Sequence, residues 1–319
     1  MTINKRSKVF VAGHNGLAGS SIVKCLVKNG YQNIIKKDKL ELDLSDQKRT
    51  RLFFKKEKPD IVICAAAKVG GIYANHIYPG QFLFENLSIQ NNLIHFSHEY
   101  EVKYLLFLGS ACIYPKYADQ PIKEDSILSG PLEPTNEPYA LAKIAGIKLC
   151  ETYYKQYSDN FISIMPNNLY GPNDNFHPDT SHVIPALIQK FHNAKVASRK
   201  YVEIWGTGNP LREFLHVDDL SEAILFIINN VSVEEIYNEG ISHINVGSGE
   251  ELSIYDLASM IKEVVGFEGE FKFDKSKPDG TPRKLLDTSI INKKGWRPKI
   301  KLKEGIKDLY SHYKTYVLN

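Results

Sequence analysis

The chain has 319 residues, 43% of them apolar and 24% charged, and a formal net charge of +3. That length suits one large core or two domains, and that composition is ordinary for a soluble globular protein. The charge is too small to argue for nucleic acid, no apolar run is long enough to cross a bilayer, and the N-terminal "MTINKRSKVFVAG" lacks the apolar region and cleavage site of a signal peptide.

In chain order, "KVFVAG" (8–13) reads as a strand and "LAGSSIVKCLVKNG" as a helix stopped at Gly30. "NIIKK" is a second strand and "DQKRTRLFFKKEK" a second helix. "DIVICAAA" (60–67) is a third strand, followed by a long helix over about 80–98. "KYLLFLGS" is a fourth strand, "EPYALAKIAGIKLCETYYKQY" a long helix and "FISIMPNN" a fifth strand. Near-continuous apolar strands alternating with helices predict an α/β fold: a Rossmann-type doubly wound parallel sheet covered on both faces.

After about residue 167 the rhythm changes. "NLYGPNDNFHPDTSHVIP" reads as a loop, "REFLHVDDLSEAILFII" as strand, turn and helix, and "HINVGSG" as a return to the sheet. A helix follows from about Ser253, "KPDGTPRKLLD" is loop-like, and the chain ends in an amphipathic helix. We therefore expect a dinucleotide-binding domain of residues 1–166 and 213–247, and a smaller α/β substrate-binding domain of 167–212 and 248–319. The cleft between them would hold the substrate. Cys25, Cys64, Cys112 and Cys150 form neither a CxxC pair nor a dense framework, so free thiols, no metal site and a cytoplasmic location are expected.

Gly13, Gly16 and Gly19 in "GHNGLAG" lie between the first strand and first helix, where a pyrophosphate needs a tight turn and close backbone approach. The spacing is GxxGxxG, and a glycine-rich turn without a ligand is the plainer alternative. Lys36 and Lys37 end the second strand where a basic residue favours a 2′-phosphate, which tilts the cofactor toward NADP(H). A solvated lysine pair would look the same. Asp43 and Leu44 in "LDLSD" are candidates for the adenine. The cofactor set is Gly13, Asn15, Gly16, Leu17, Gly19, Lys36, Lys37, Asp43, Leu44, Ala66, Lys143 and Asn168.

Tyr139 and Lys143 stand four apart on one helix and share a face. An ammonium beside a phenol stabilises the phenolate, so the pair suits proton transfer to a carbonyl oxygen during hydride attack. Ser110, at the end of the fourth strand, could bond the same oxygen. YxxxK alone is common by chance; after a glycine loop and a strand-end serine it is specific. On the residues alone, Cys112 is as well explained as a buried core thiol, and His182 as a loop or capping residue.

The stretches "VFVAGHNGLAGS", "AAAKVGGI", "LLFLGSACIYP", "LEPTNEPYALAKIAGIKLCE", "NLYGPNDNFHPDTSHVIPAL", "REFLHVDDL", "SHINVGSG" and "SKPDGTPRKLLD" resemble the extended short-chain dehydrogenase/reductase family over essentially the whole chain. Within it they are similar to the epimerase/reductases that act on GDP-4-keto-6-deoxy sugars. That resemblance implies C3 and C5 epimerisation by Cys112 and His182, then NADPH-dependent reduction at C4 by Ser110, Tyr139 and Lys143. It also implies that Lys190, Trp205, Arg212 and Lys284 hold the nucleotide diphosphate and sugar, and that the protein is a homodimer joined through long helices. Members of the family often carry arginine where this chain has Asn15, and serine where it has Ala111. Dehydratases of the superfamily place Thr-Asp-Glu where this chain has Ser-Ala-Cys, so dehydration is rejected. A C4 reductase of a GDP-4-keto-6-deoxy-heptose, with weak epimerisation, stays open, because one extra sugar carbon alters only pocket shape. A non-catalytic nucleotide-binding relative has no need of the Ser110–Tyr139–Lys143 set.

Overall fold

The computed structural model describes residues 4–177, 180–277 and 279–318. Residues 1–3 of the N-terminal stretch, Pro178 and Asp179 of the first predicted loop, Pro278 of the second and the terminal Asn319 lie outside the described residues. The chain runs β1 (Lys8–Ala12), α1 (Leu17–Lys28), β2 (Asn33–Ile35), α2 (Gln47–Glu57), β3 (Ile61–Cys64), α3 (Ile72–Ile77), α4 (Pro79–Glu99), β4 (Tyr104–Leu108), α5 (Glu137–Tyr157) and β5 (Phe161–Pro166). It continues with β6 (Asn168–Tyr170), α6 (Val183–Val196), β7 (Tyr201–Trp205), β8 (Leu211–His216), α7 (Val217–Asn230), α8 (Val233–Asn238) and β9 (Ile244–Val246). Then come β10 (Glu251–Ser253), α9 (Ile254–Val265), β11 (Glu270–Asp274), β12 (Arg283–Lys284), α10 (Ser289–Lys293) and α11 (Leu302–His312).

The main sheet has the order β2-β1-β3-β4-β5-β9, and every pairing in it is parallel. Its strands are apolar on both sides because both sides are covered. In β1, Val9 and Val11 join one hydrophobic cluster with Ile22 and Leu26 of α1 and Leu220, Ile224 and Ile227 of α7. Phe10 and Ala12 point the other way, into a cluster with Phe54 of α2, Leu93 and Phe96 of α4 and Ile147 of α5. Each such large side chain contributes about 1.5–3 kcal/mol on full burial. The helix α1 ends as its sequence demands: Gly30 adopts φ +83° and its N–H donates to the Val27 carbonyl at 3.0 Å. Chain order reverses between β1 and β3, so a crevice opens at their carboxyl ends, above the glycine loop. The predicted α/β doubly wound sheet is thus the one observed.

A third cluster gathers Ile184, Ile188 and Phe191 of α6, Ile204 of β7, Phe214 of β8, Leu257 and Ile261 of α9, and Ile306 and Leu309 of α11. Its strands are short. β8 pairs in parallel with β6 and β12 and antiparallel with β10, and β7 pairs in parallel with β11. The two predicted loops therefore contain strands, β6 and β12, each too brief to show period-two alternation. We propose that the clusters mark the two domains expected from the sequence. One boundary needs correction: Ile291 and Trp296, placed by that division in the substrate domain, pack in the first cluster against the sheet. Among the described residues no helix is long and apolar enough to cross a membrane, and no group of three or more His, Cys, Asp or Glu side chains could hold a metal ion. All four cysteines are free and buried.

Glu213 ties these pieces together. The residue is 0% exposed, and its carboxylate accepts from Gly249 N at 2.7 Å, Leu286 N at 3.0 Å and the Asn167 amide. Burial pushes its pKa up, and those donors oppose the shift. Glu213→Ala strands three buried donors at about 1–3 kcal/mol each. We expect it to lower unfolding free energy by about 3 kcal/mol or more in urea titrations, and an unchanged midpoint would refute this hub.

Candidate active site

One cleft of about 1320 Å³ runs from the glycine loop, past the end of β4, to the face of the second domain. At its first end, Gly13 has φ +82°, and a Cβ there would sit 2.7 Å from Ala66. A Cβ on Gly19 would sit 2.0 Å from the Gly13 carbonyl oxygen. Both contacts are too close for any side chain, so the loop is wound as tightly as a pyrophosphate cradle requires. Gly16 caps α1 without a side-chain hydrogen bond, which leaves the first-turn N–H groups to a ligand. The residues present therefore fit a dinucleotide.

The predicted cofactor residues fall unevenly around this end. Gly13, Asn15, Gly16, Leu17, Gly19, Lys37, Asp43, Leu44, Ala66 and Asn168 line the cleft. Lys36 does not; β2 stops at Ile35, and Lys36 is exposed beyond it. Lys37 donates to Glu41 Oε1 at 2.7 Å, and Lys39, which sequence reasoning missed, lines the wall beside it. Asp43 accepts from the Ser45 hydroxyl at 2.7 Å, which holds its pKa down.

The reacting end is built by the chain leaving β4. Gly109 has no room for a side chain, since a Cβ would meet Met165 at 2.1 Å. Ser110 then caps a tight 3₁₀ turn, Ala111–Ile113, accepting from the Cys112 N–H at 3.5 Å. Tyr114 anchors the turn from behind: its hydroxyl donates to Asn245 Oδ1 at 2.5 Å and meets His243 Nε2 at 2.6 Å, and burial drives that histidine down to about 3. Tyr139 sits in the first turn of α5, and the Ser110 hydroxyl is near enough to its phenol and to the Cys112 thiol to pull the pKa of each downward. Lys143 lies behind this group. It is 3% exposed, donates to the Leu108 carbonyl at 2.7 Å and stands 5.7 Å from the centre of the Tyr139 ring.

One electrostatic expectation needs correction. Burial pushes the Tyr139 phenol up, and the Ser110 bond only moderates this. In the resting site the Lys143 ammonium donates to a backbone carbonyl, and burial lowers it to about 8. Burial likewise raises the Cys112 thiol, against the pull of Ser110, Lys284 and Lys143. Both protons are held in the resting site.

The opposite wall comes from the second domain. His182 caps α6 and lines the cleft, as do Lys190, Trp205, Arg212 and Lys284. Lys190 donates to the Glu203 carbonyl at 3.0 Å and stands 5.8 Å from the Trp205 ring centre. Trp205 is 58% exposed, an apolar plate beside cations. Arg212 and Lys284 are register partners in β8 and β12, and burial lowers both pKa values. Two desolvated cations held side by side suit a diphosphate. Sequence reasoning missed Glu133, a buried wall residue whose carboxylate meets Lys116 at 3.0 Å and accepts from Thr281 at 3.4 Å. No spacing in the sequence signals a contact between positions so far apart.

A glycine cradle at the first strand–helix turn, followed by a serine, tyrosine and lysine at the carboxyl end of a parallel sheet, defines an extended short-chain dehydrogenase/reductase. The chain belongs to the NAD dependent epimerase/dehydratase family, whose profile it matches over residues 9–247. It is 54% identical over 316 residues to GDP-L-fucose synthase 1 of Arabidopsis thaliana, covering 99% of this chain and 96% of that one. Among solved structures, a GDP-6-OMe-4-keto-L-xylo-heptose reductase from Campylobacter jejuni is 40% identical with a TM-score of 0.94, covering 99% of each chain. A GDP-mannoheptose C4 reductase from the same organism, solved with NADP bound, is 40% identical with a TM-score of 0.90, covering 98% of this chain and 100% of that one.

Proposed function

We propose that this protein is an NADPH-dependent epimerase/reductase that converts GDP-4-keto-6-deoxy-mannose to GDP-L-fucose. The observation that carries the reading is the shared cleft: Ser110, Cys112 and Tyr139 line it at the end of β4, and His182, Lys190, Arg212 and Lys284 line it opposite. The 54% identity to a GDP-L-fucose synthase supports the sugar, and the reductase solved with NADP supports the cofactor.

A 4-keto group acidifies the hydrogens on C3 and C5. Cys112 and His182 serve as the two proton-carrying groups: one removes a proton from carbon, and the other returns one on the opposite face. Ser110 and Tyr139 donate to the enolate oxygen meanwhile. A reduced dinucleotide whose pyrophosphate is held by the glycine loop would supply hydride to C4. Tyr139 gives its proton to the C4 oxygen as charge gathers there. A phenol with a raised pKa suits that direction, since an alkoxide is the stronger base and the proton must be present beforehand. Lys143 keeps positive charge behind the phenol only while protonated. Its pKa of about 8 therefore sets a descending limb: kcat/KM for C4 reduction falls as pH rises through about 8. A profile flat well beyond that pH would remove the ammonium from the mechanism.

The 40% identity to two heptose reductases favours a second reading, C4 reduction of a GDP-4-keto-6-deoxy-heptose with epimerisation weak or lost. Incubation with GDP-4-keto-6-deoxy-mannose and with its heptose counterpart, with product stereochemistry read by NMR, decides between them. Turnover of neither ketone would sink both. We place the enzyme in the cytoplasm as a homodimer joined through α4 and α5, where Phe84 is 71% and Tyr157 47% exposed. Sedimentation velocity showing a monomer at micromolar concentration would overturn the dimer.

A further inference from the structure

We propose that Asp174 is a positioning residue for His182: its carboxylate takes the Nδ1–H of the imidazole, leaving Nε2 as the atom that exchanges protons with the sugar. The inference rests on the epimerase reading above and adds a residue to it. Asp174 Oδ1 lies 4.0 Å from His182 Nδ1. The Asp174 side chain is 2% exposed, and that of His182 is 50% exposed, so the carboxylate is inside and the ring is open to the cleft. Oδ1 already accepts from the Asn175 N–H at 2.8 Å, and the Asp174 N–H donates to the Gly171 carbonyl at 3.1 Å, which fixes the loop. Oδ2 is buried and has no hydrogen-bond partner among the described residues.

A buried carboxylate with an oxygen lacking a donor is costly, and it is an acceptor only. The basic side chain beside it is His182. A separation of 4.0 Å is ion-pair reach and longer than a hydrogen bond, so the half-exposed ring has to turn toward the carboxylate to make one. The partner of one ring nitrogen fixes the tautomer, and hence what the other nitrogen can do. With Nδ1–H on Asp174, Nε2 faces the cleft as an acceptor, and the imidazolium formed on taking a proton is stabilised by the charge behind it. Without Asp174 the ring is free to turn and to protonate on the wrong nitrogen.

The test has two arms. Long-range ¹H–¹⁵N NMR of the intact protein should show His182 with its proton on Nδ1, and Asp174→Asn, which presents an NH₂ instead, should move that proton to Nε2. The same tautomer in both proteins overturns the proposal, whatever the activity. The second arm compares solvent-deuterium entry at C3 and C5 with C4 reduction of the already epimerised ketone. Asp174→Asn should lower the ratio of exchange to reduction by on the order of 10- to 100-fold, and Asp174→Glu should restore part of it. Equal loss of both steps, in Asp174→Asn and in Asp174→Ala, would make the residue structural. A wild-type protein that reduces without exchange would count against the epimerase reading alone, because the tautomer still decides the role of Asp174.

Discussion

Tyr139→Phe abolishes NADPH oxidation on any 4-keto-sugar, lowering kcat on the order of 10³-fold, within the range assigned to a single positioned proton donor. The substitution removes one oxygen and little packing. The ring keeps its edge-on contact with Phe82, whose centroid lies 6.3 Å away, and α5 keeps its buried face. Ser110 still accepts from the Cys112 N–H. The drop is therefore chargeable to the phenolic proton and not to misfolding, and a melting temperature near that of the wild type should accompany it. Following NADPH absorbance with the ketone in excess measures it. Turnover near the wild-type rate would take the acid role away from Tyr139.

Cys112→Ser separates the two halves of the reaction. Cys112 is 6% exposed, and Ser110, Lys284 and Lys143 oppose the upward push of burial on its thiol. A hydroxyl at that point fits the space but ionises far less readily than a thiol, so it cannot exchange protons with carbon at a useful rate. Deuterium entry from solvent at C3 and C5 should fall about 10²-fold or more, and C4 reduction of the already epimerised ketone should fall much less. Parallel loss of both would make Cys112 a packing residue, which its burial alone would equally suggest.

The sequence made the first half of this molecule legible and the second half only partly so. Strands such as "KVFVAG" and "KYLLFLGS" announce themselves because burial on both faces leaves no room for polar residues. The glycine loop and the Tyr139–Lys143 spacing are local, and local geometry is written in consecutive residues. By contrast β6 and β12 are three and two residues long and exist because β8 lies beside them. Lys36 lies outside the cleft lining for a similar reason: whether a side chain faces the cleft depends on where β2 stops, and nothing in "NIIKKDK" fixes that residue. The direction of the Tyr139 shift was hidden too, because it depends on how deeply the folded chain buries the phenol. Glu133, Asp174 and Glu213 act through partners distant in the chain or across a loop, and spacing does not reveal such contacts.

Within β8, Arg212 faces the diphosphate end of the cleft, Glu213 clasps three other segments, Phe214 sits in one apolar core and Leu215 in the next. Four successive residues thus rivet both halves of the molecule together, with no slack between them. Any movement of one half against the other would have to disturb these contacts of β8. Calorimetry should accordingly register a single heat-absorption peak, and occupying either the nucleotide-sugar end or the dinucleotide end should raise that same peak.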